Sequence, residues 1–188
     1  MSAARSRAFS IANSAGPRYT DAGDDMLTLK SIDRDAPELP ALTALMERAF
    51  PANERMPMDV LLSREGGDML AILEDGAFRG FISLLTRGDI CHILFFAMAE
   101  DSRGRGLGTK ALALVRARKP GLRIIADLEA PDGAAPNAEQ RRSRRRFYER
   151  CGYEDTGVSY RWRGERYMIV SNGGDVTEAE FDRFWSAW

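Results

Sequence analysis

The clearest chemistry in the chain is carried by Arg103-Gly104-Arg105-Gly106-Leu107-Gly108-Thr109. This stretch lies between a long apolar run and an amphipathic segment. A glycine-rich turn that opens a helix aims backbone N–H groups and the positive end of the helix dipole at one point, which suits an anionic phosphate. Gly106 and Gly108 let main chain approach phosphate with no Cβ between them, and Arg103 and Arg105 add charge. Two other phosphate loops do not fit. The Gly-x-x-x-x-Gly-Lys-Ser/Thr loop needs an order that Gly108-Thr109-Lys110 reverses. The dinucleotide fingerprint is spaced Gly-x-Gly-x-x-Gly, whereas the glycines here stand at 104, 106 and 108, and no acidic ribose-binding residue is evident on a second strand. From the loop alone, a turn that binds nothing remains the alternative.

The elements that hold this loop follow from periodicity. Ile90 to Met98 is nearly continuous apolar sequence and reads as a central strand covered on both faces. Leu107 to Arg118 reads as a helix with Ala111, Leu112, Leu114 and Val115 apolar, ended by Pro120-Gly121. Leu122 to Leu128 reads as another buried strand. Strand, loop, helix and strand make a βαβ unit, hence parallel strands. Upstream, Met26 to Ile32 suits a strand. A helix follows with Leu42, Leu45, Met46 and Ala49 on one face, with Asp35 and Glu38 as an expected capping box and Pro37 in the first turn. A shorter helix after Pro57 carries Val60, Leu61 and Leu62. Leu70 to Glu74 and Phe78 to Thr86 read as a hairpin about Asp75-Gly76. Downstream, Ala138 to Cys151 reads as a helix, and Tyr153 to Trp162 and Arg166 to Val170 as strands hinged at Arg163-Gly164. Thr177 and Glu180 form a capping box for a last helix with Phe181, Phe184, Trp185 and Trp188 on one side, a face that must dock on the domain or on a partner, such as a second copy.

Composition narrows the class. The chain has 188 residues, 44% of them hydrophobic and 29% charged, with a formal net charge of −1, which suits one globular domain. With no basic excess, bulk electrostatics point to neither nucleic acid nor membrane. No stretch approaches the ~20 apolar residues of a membrane span. Residues 1–25 read as a disordered leader, 26–172 as the domain, and 173–188 as the added helix. The two cysteines, Cys91 and Cys151, are too few for a disulfide framework or a zinc site and point to a reducing cytoplasm. His92, the one histidine, argues against a histidine-based metal site and reads as a core residue.

Two stretches together resemble a known family. Ala97-Met98-Ala99-Glu100-Asp101-Ser102-Arg103-Gly104-Arg105-Gly106-Leu107-Gly108 is similar to the signature of the GNAT superfamily of N-acetyltransferases, with Arg103, Gly106 and Gly108 in its defining places. Arg146-Phe147-Tyr148-Glu149-Arg150-Cys151-Gly152-Tyr153 resembles the family's second signature, in the right order and at the right separation. The resemblance spans Met26 to Val170. Glu100 stands where many members carry proline, and Arg141 where an asparagine is often found.

The resemblance implies an α/β fold: a mixed sheet of about six to seven strands, its central parallel pair splayed to admit acetyl-CoA, flanked by about four helices. It implies direct attack of an amine on the acetyl thioester, without a metal. Cofactor contacts then fall to Met98, whose N–H would donate to the acetyl carbonyl, and to residues 103–109. Tyr148 matches the tyrosine that lies near the cofactor sulfur in many members, which makes it the expected general acid for the departing thiolate. The base is Glu129, at the end of a buried strand at the splay; Glu54, near the acceptor side, and a bound water are alternatives. Asp127 lies on the same face as Glu129 by strand alternation. Glu54, Asp127 and Glu129 would form a negative pocket for a cationic amine. Two other functions remain: a module that senses acetyl-CoA without transfer, and an RNA-associated protein using the run Arg141-Arg142-Ser143-Arg144-Arg145-Arg146, whose plainest reading is a solvated helix.

Overall fold

A computed structural model describes residues 26–186. The expected leader and Trp188 lie outside them. In chain order the elements are β1 (Leu27–Ser31), α1 (Leu39–Ala49), α2 (Met58–Ser63), β2 (Gly67–Glu74), β3 (Ala77–Arg87) and β4 (Ile90–Met98). A 3₁₀ turn (Glu100–Ser102) leads to α3 (Leu107–Arg118), then β5 (Arg123–Glu129), α4 (Ala138–Arg150), β6 (Glu154–Trp162), β7 (Glu165–Asn172) and α5 (Glu178–Ser186). The strands form one seven-stranded sheet in the order β1-β2-β3-β4-β5-β7-β6. Its one parallel pair is β4–β5, joined through α3; the other neighbours run antiparallel.

The parallel pair is short. Ile90 to Ile93 pair with Arg123 to Ala126, and there the ladder stops. Residues 94–98 of β4 and 127–129 of β5 run on without pairing to each other. A local irregularity coincides with the parting. Ser83 stands opposite Phe95 and Leu84 opposite Ile93, so Leu94 is an extra residue in β4. Such a bulge bends its strand, and here it turns β4 away from β5 at the first unpaired position.

Side chains alternate across the sheet into separate cores. Cys91, Ile93, Ile124, Ala126 and Leu128 point to the face covered by α3 and α4, where they meet Leu107, Leu112, Val115 and Tyr148. On the other face, α1 and α2 bring Leu42, Leu45, Met46 and Leu61 onto Phe81, Phe95 and Ala97. Beside them, α5 lays Phe181 and Phe184 on Leu85, Ile90, Ile125 and Ile169. The apolar side of α5 therefore docks on its own domain, each buried phenylalanine contributing about 1.5–3 kcal/mol. Its start is a capping box: Glu180 Oε2 accepts the Thr177 N–H at 2.9 Å, and Thr177 Oγ1 accepts the Glu180 N–H at 3.4 Å.

The expected cap of α1 is not formed. The helix starts at Leu39 with no side-chain cap, and the Glu38 carboxylate is taken by Lys30 Nζ at 2.7 and 2.9 Å. An ion pair to β1 outcompetes the local backbone bond. Among the described residues no helix is long and apolar enough to cross a membrane.

Candidate functional site

The loop before α3 has the geometry its glycines suggest. Gly104 and Gly106 are left-handed, with φ of 74° and 77°, and a Cβ at either would meet nothing within 4 Å. Leu107 opens α3 without a side-chain cap or an acidic residue in the first turn. The first intrahelical bond is from Lys110 N–H to Gly106 O at 3.1 Å. The amides of Leu107, Gly108 and Thr109 precede it, so the helix end is left open to an anion. Gly108 serves packing instead: its Cα faces the Phe147 ring, 3.4 Å from where a Cβ would lie. The two arginines turn inward. Arg103 Nε donates to Met98 O at 3.3 Å, and Arg105 makes paired bonds to Glu74 at 2.9 and 3.0 Å.

Tyr148 lies on the same face of the sheet. It is 6% exposed, in the core that contains Leu128 and Ala126, with its ring edge-on to Phe147 at 5.3 Å and Tyr153 at 5.1 Å. Burial pushes its phenol well above the ordinary pKa, against the opposing pull of Arg144, so it stays protonated at neutral pH. Met98 ends β4 opposite Gly80. From Leu94 onward, the β4 backbone groups that face β5 have no strand partner.

The carboxylates gather on the opposite face. Glu129 ends β5 directly across from Tyr167 of β7. Its oxygens accept Asn137 Nδ2 at 2.9 Å and Arg144 Nη1 at 2.8 Å, with Arg141 Nη2 at 3.4 Å. Arg141, at the position of the often-found asparagine, is a buried tie that also bonds Asn137, the Ala130 carbonyl and Glu165. Glu54, in the turn after α1, is half-buried and its carboxylate bonds to no partner among the described residues. Burial raises its pKa and repulsion from Glu129 raises it further, partly offset by Arg144 and Arg163. Tyr167 feels the same charges: burial, then Glu54, Glu129, Asp127 and Glu165, push its phenol up to about 12. Asp127 is engaged otherwise. It accepts from His92 Nε2 on one oxygen and from the Tyr160 hydroxyl, at 2.5 Å, on the other.

The strand fork, the open helix end and the buried tyrosine are one arrangement, and the sequence places it in a family. The chain matches the Acetyltransferase (GNAT) family over residues 31–153. It belongs to the GNAT acetyltransferases. Among solved structures it is similar to a putative GNAT acetyltransferase from Bacteroides thetaiotaomicron, with TM-score 0.66 and 18% identity over 82% of this chain and 92% of that one. An aminoglycoside 6′-N-acetyltransferase complexed with coenzyme A gives TM-score 0.61 at 15% identity, over 77% of this chain and 95% of that one. A GNAT acetyltransferase from Elizabethkingia anophelis with acetyl-CoA bound gives 0.53 at 14%, over 77% and 96%. At such identities the likeness is one of fold. No curated protein matches the chain.

Asp127 and Glu129 alternate onto the same face of β5, as expected from strand geometry, while Glu54 stands in the turn after α1. Four contributors stand out only in the folded chain. The Leu94 bulge leaves no mark in an unbroken apolar run. Tyr160 and Tyr167 look like ordinary strand aromatics. Glu74 looks like a solvated residue before a turn, yet it is 4% exposed. Among the described residues no cluster of three or more His, Cys, Asp or Glu could hold a metal ion.

Proposed function

We propose that the protein transfers an acetyl group from acetyl-CoA to a primary amine that carries positive charge. The observation that carries this reading is the division of the fork. One face has the open end of α3, the left-handed loop and the buried Tyr148. The other has Glu54, Glu129, Glu165 and Asp127 around Tyr167. The residues fit acetyl-CoA: the loop and helix end suit its diphosphate, and the unpaired edge of β4 suits its amide-bearing arm.

Acetyl-CoA supplies an acetyl group activated as a thioester. The protein's residues supply the rest. The acceptor reaches the fork from the carboxylate face as an ammonium ion and must lose a proton to become a nucleophile. We assign that proton to Glu54 rather than to Glu129. Glu129 is saturated by Asn137 and two arginines, whereas Glu54 has no bonded partner among the described residues and a raised pKa, the direction a base working near neutrality needs. The amine nitrogen forms the new bond to the acetyl carbon as the carbon–sulfur bond breaks. The departing sulfur takes its proton from the Tyr148 hydroxyl, and the proton that the nitrogen sheds on becoming an amide restores that hydroxyl. The exposed β4 amides, Met98 among them, are placed to donate to the acetyl carbonyl.

The test is release of coenzyme A thiol from acetyl-CoA with a panel of primary amines, each product weighed by mass spectrometry. Polyamines, aminoglycosides, lysine and peptide N-termini should be preferred, with rates that fall as salt rises. Preference for a neutral or acidic amine contradicts the acceptor reading. Binding of acetyl-CoA without transfer to any amine would make the protein a sensing module.

A further inference from the structure

Beneath the phosphate loop lies a charged group that the reaction does not use. Glu74, the last residue of β2, is 4% exposed. A carboxylate buried to this degree needs compensating charge. Among the described residues it has two partners: Arg105 Nη1 and Nη2 reach separate oxygens at 2.9 and 3.0 Å, and Arg79 Nε reaches one of them at 2.9 Å. Arg79 is the extra residue of the β2–β3 irregularity, since Ile72 pairs with Gly80 and Leu73 with Phe78.

The consequence falls on the loop. Arg105 stands between Gly104 and Gly106, two left-handed residues whose conformational freedom is otherwise large. One anchor joins the Arg103 side chain to the Met98 carbonyl, and a second joins Arg105 to the sheet at Glu74. The two anchors flank Gly104, and the second stands immediately before Gly106 and the open end of α3.

We propose that Glu74 is a positioning residue of the acetyl-CoA site, fixing Arg105 so that the phosphate loop is ordered before the ligand arrives. The inference rests on the reading of that loop as the diphosphate site. It changes the role of Arg105, whose paired bonds to Glu74 are structural ties, while backbone amides meet the diphosphate. Pre-ordering raises affinity because binding no longer bears the entropy of fixing the loop.

Calorimetric Kd for coenzyme A on the full chain tests this with Glu74→Gln, Arg105→Ala, Arg105→Lys and the double variant Glu74→Gln/Arg105→Ala. Each single change should raise Kd about tenfold, as for loss of a charge-assisted bond. The double variant should be no weaker than the weaker single. Lysine keeps the charge but not the two-armed bond, so Arg105→Lys should bind as poorly as Arg105→Ala. Three results would overturn the proposal: Arg105→Lys binding like wild type, Glu74→Gln binding as well as wild type or better, or independent losses multiplying to about a hundredfold in the double variant. If Glu74→Gln does not fold, the Arg105 pair decides alone, because that side chain is 44% exposed. Absence of coenzyme A binding by wild type would instead remove the loop reading itself.

Discussion

His92 Nε2 is hydrogen-bonded to Asp127 Oδ1 across the parallel pair, tying β4 to β5 at the base of the fork. His92 is fully buried, its ring edge-on to Phe181, Phe184 and Trp185 of α5 at 6.1, 5.7 and 5.4 Å. Tyr160 holds the second Asp127 oxygen. The last helix, the fork and β6 therefore meet at one carboxylate.

Burial alone would raise the Asp127 pKa, but electrostatic attraction to His92 and the hydrogen bonds from His92 and Tyr160 outweigh it and leave the carboxyl below its ordinary value. A depressed pKa means that the folded state favours the carboxylate. The resulting stability is complete above the unfolded value of about 4 and is lost as pH falls further. Asp127→Asn should cost about 2 kcal/mol near neutrality, measured by urea unfolding, with the gap to wild type closing below about pH 4. A gap that widens in acid would contradict this role.

Tyr148 is held protonated by burial. Tyr148→Phe should lower kcat about a hundredfold, the common scale for a lost general acid, while the Kd for acetyl-CoA stays put. Steady-state kinetics beside calorimetry separate the two. A large rise in Kd with little change in kcat would make Tyr148 a packing residue.

Glu54 has the opposite electrostatics. Its folded pKa is raised, chiefly by burial and then by Glu129, so ionising it works against the fold, and stability falls as pH rises through that pKa. Glu54→Gln should therefore raise Tm slightly at pH 8, abolish the acid limb of the pH–rate profile and lower kcat. An unchanged acid limb would move the base elsewhere.

The fold was legible where one pattern governed one segment. The apolar run of β4, the amphipathic α3 and the Asp75-Gly76 turn each dictate local structure, and their sequence order dictates the parallel pair. Phe181, Phe184 and Trp185 announced a docking face, though not that His92 lay beneath it. What sequence could not show depends on partners far along the chain. Glu129 reads as an open carboxylate until Asn137, Arg141 and Arg144 fold over it. Arg105 reads as a phosphate ligand until β2 brings Glu74 under it. The α1 cap fails for the same reason, since Lys30 claims Glu38.

The most direct test of the account is a thermal-shift titration with acetyl-CoA on wild type and Gly106→Asp. Gly106 is left-handed and its Cβ direction is open, and aspartate is among the residues that best tolerate this conformation. The variant should therefore fold and differ by one carboxylate in the path of the diphosphate. At about a hundred times Kd, ligand adds about 2.7 kcal/mol, which should lift the wild-type Tm by roughly 5–10 °C. The rise should appear in wild type and be absent in Gly106→Asp. Equal shifts in both proteins, or none in a folded wild type at millimolar ligand, would contradict it.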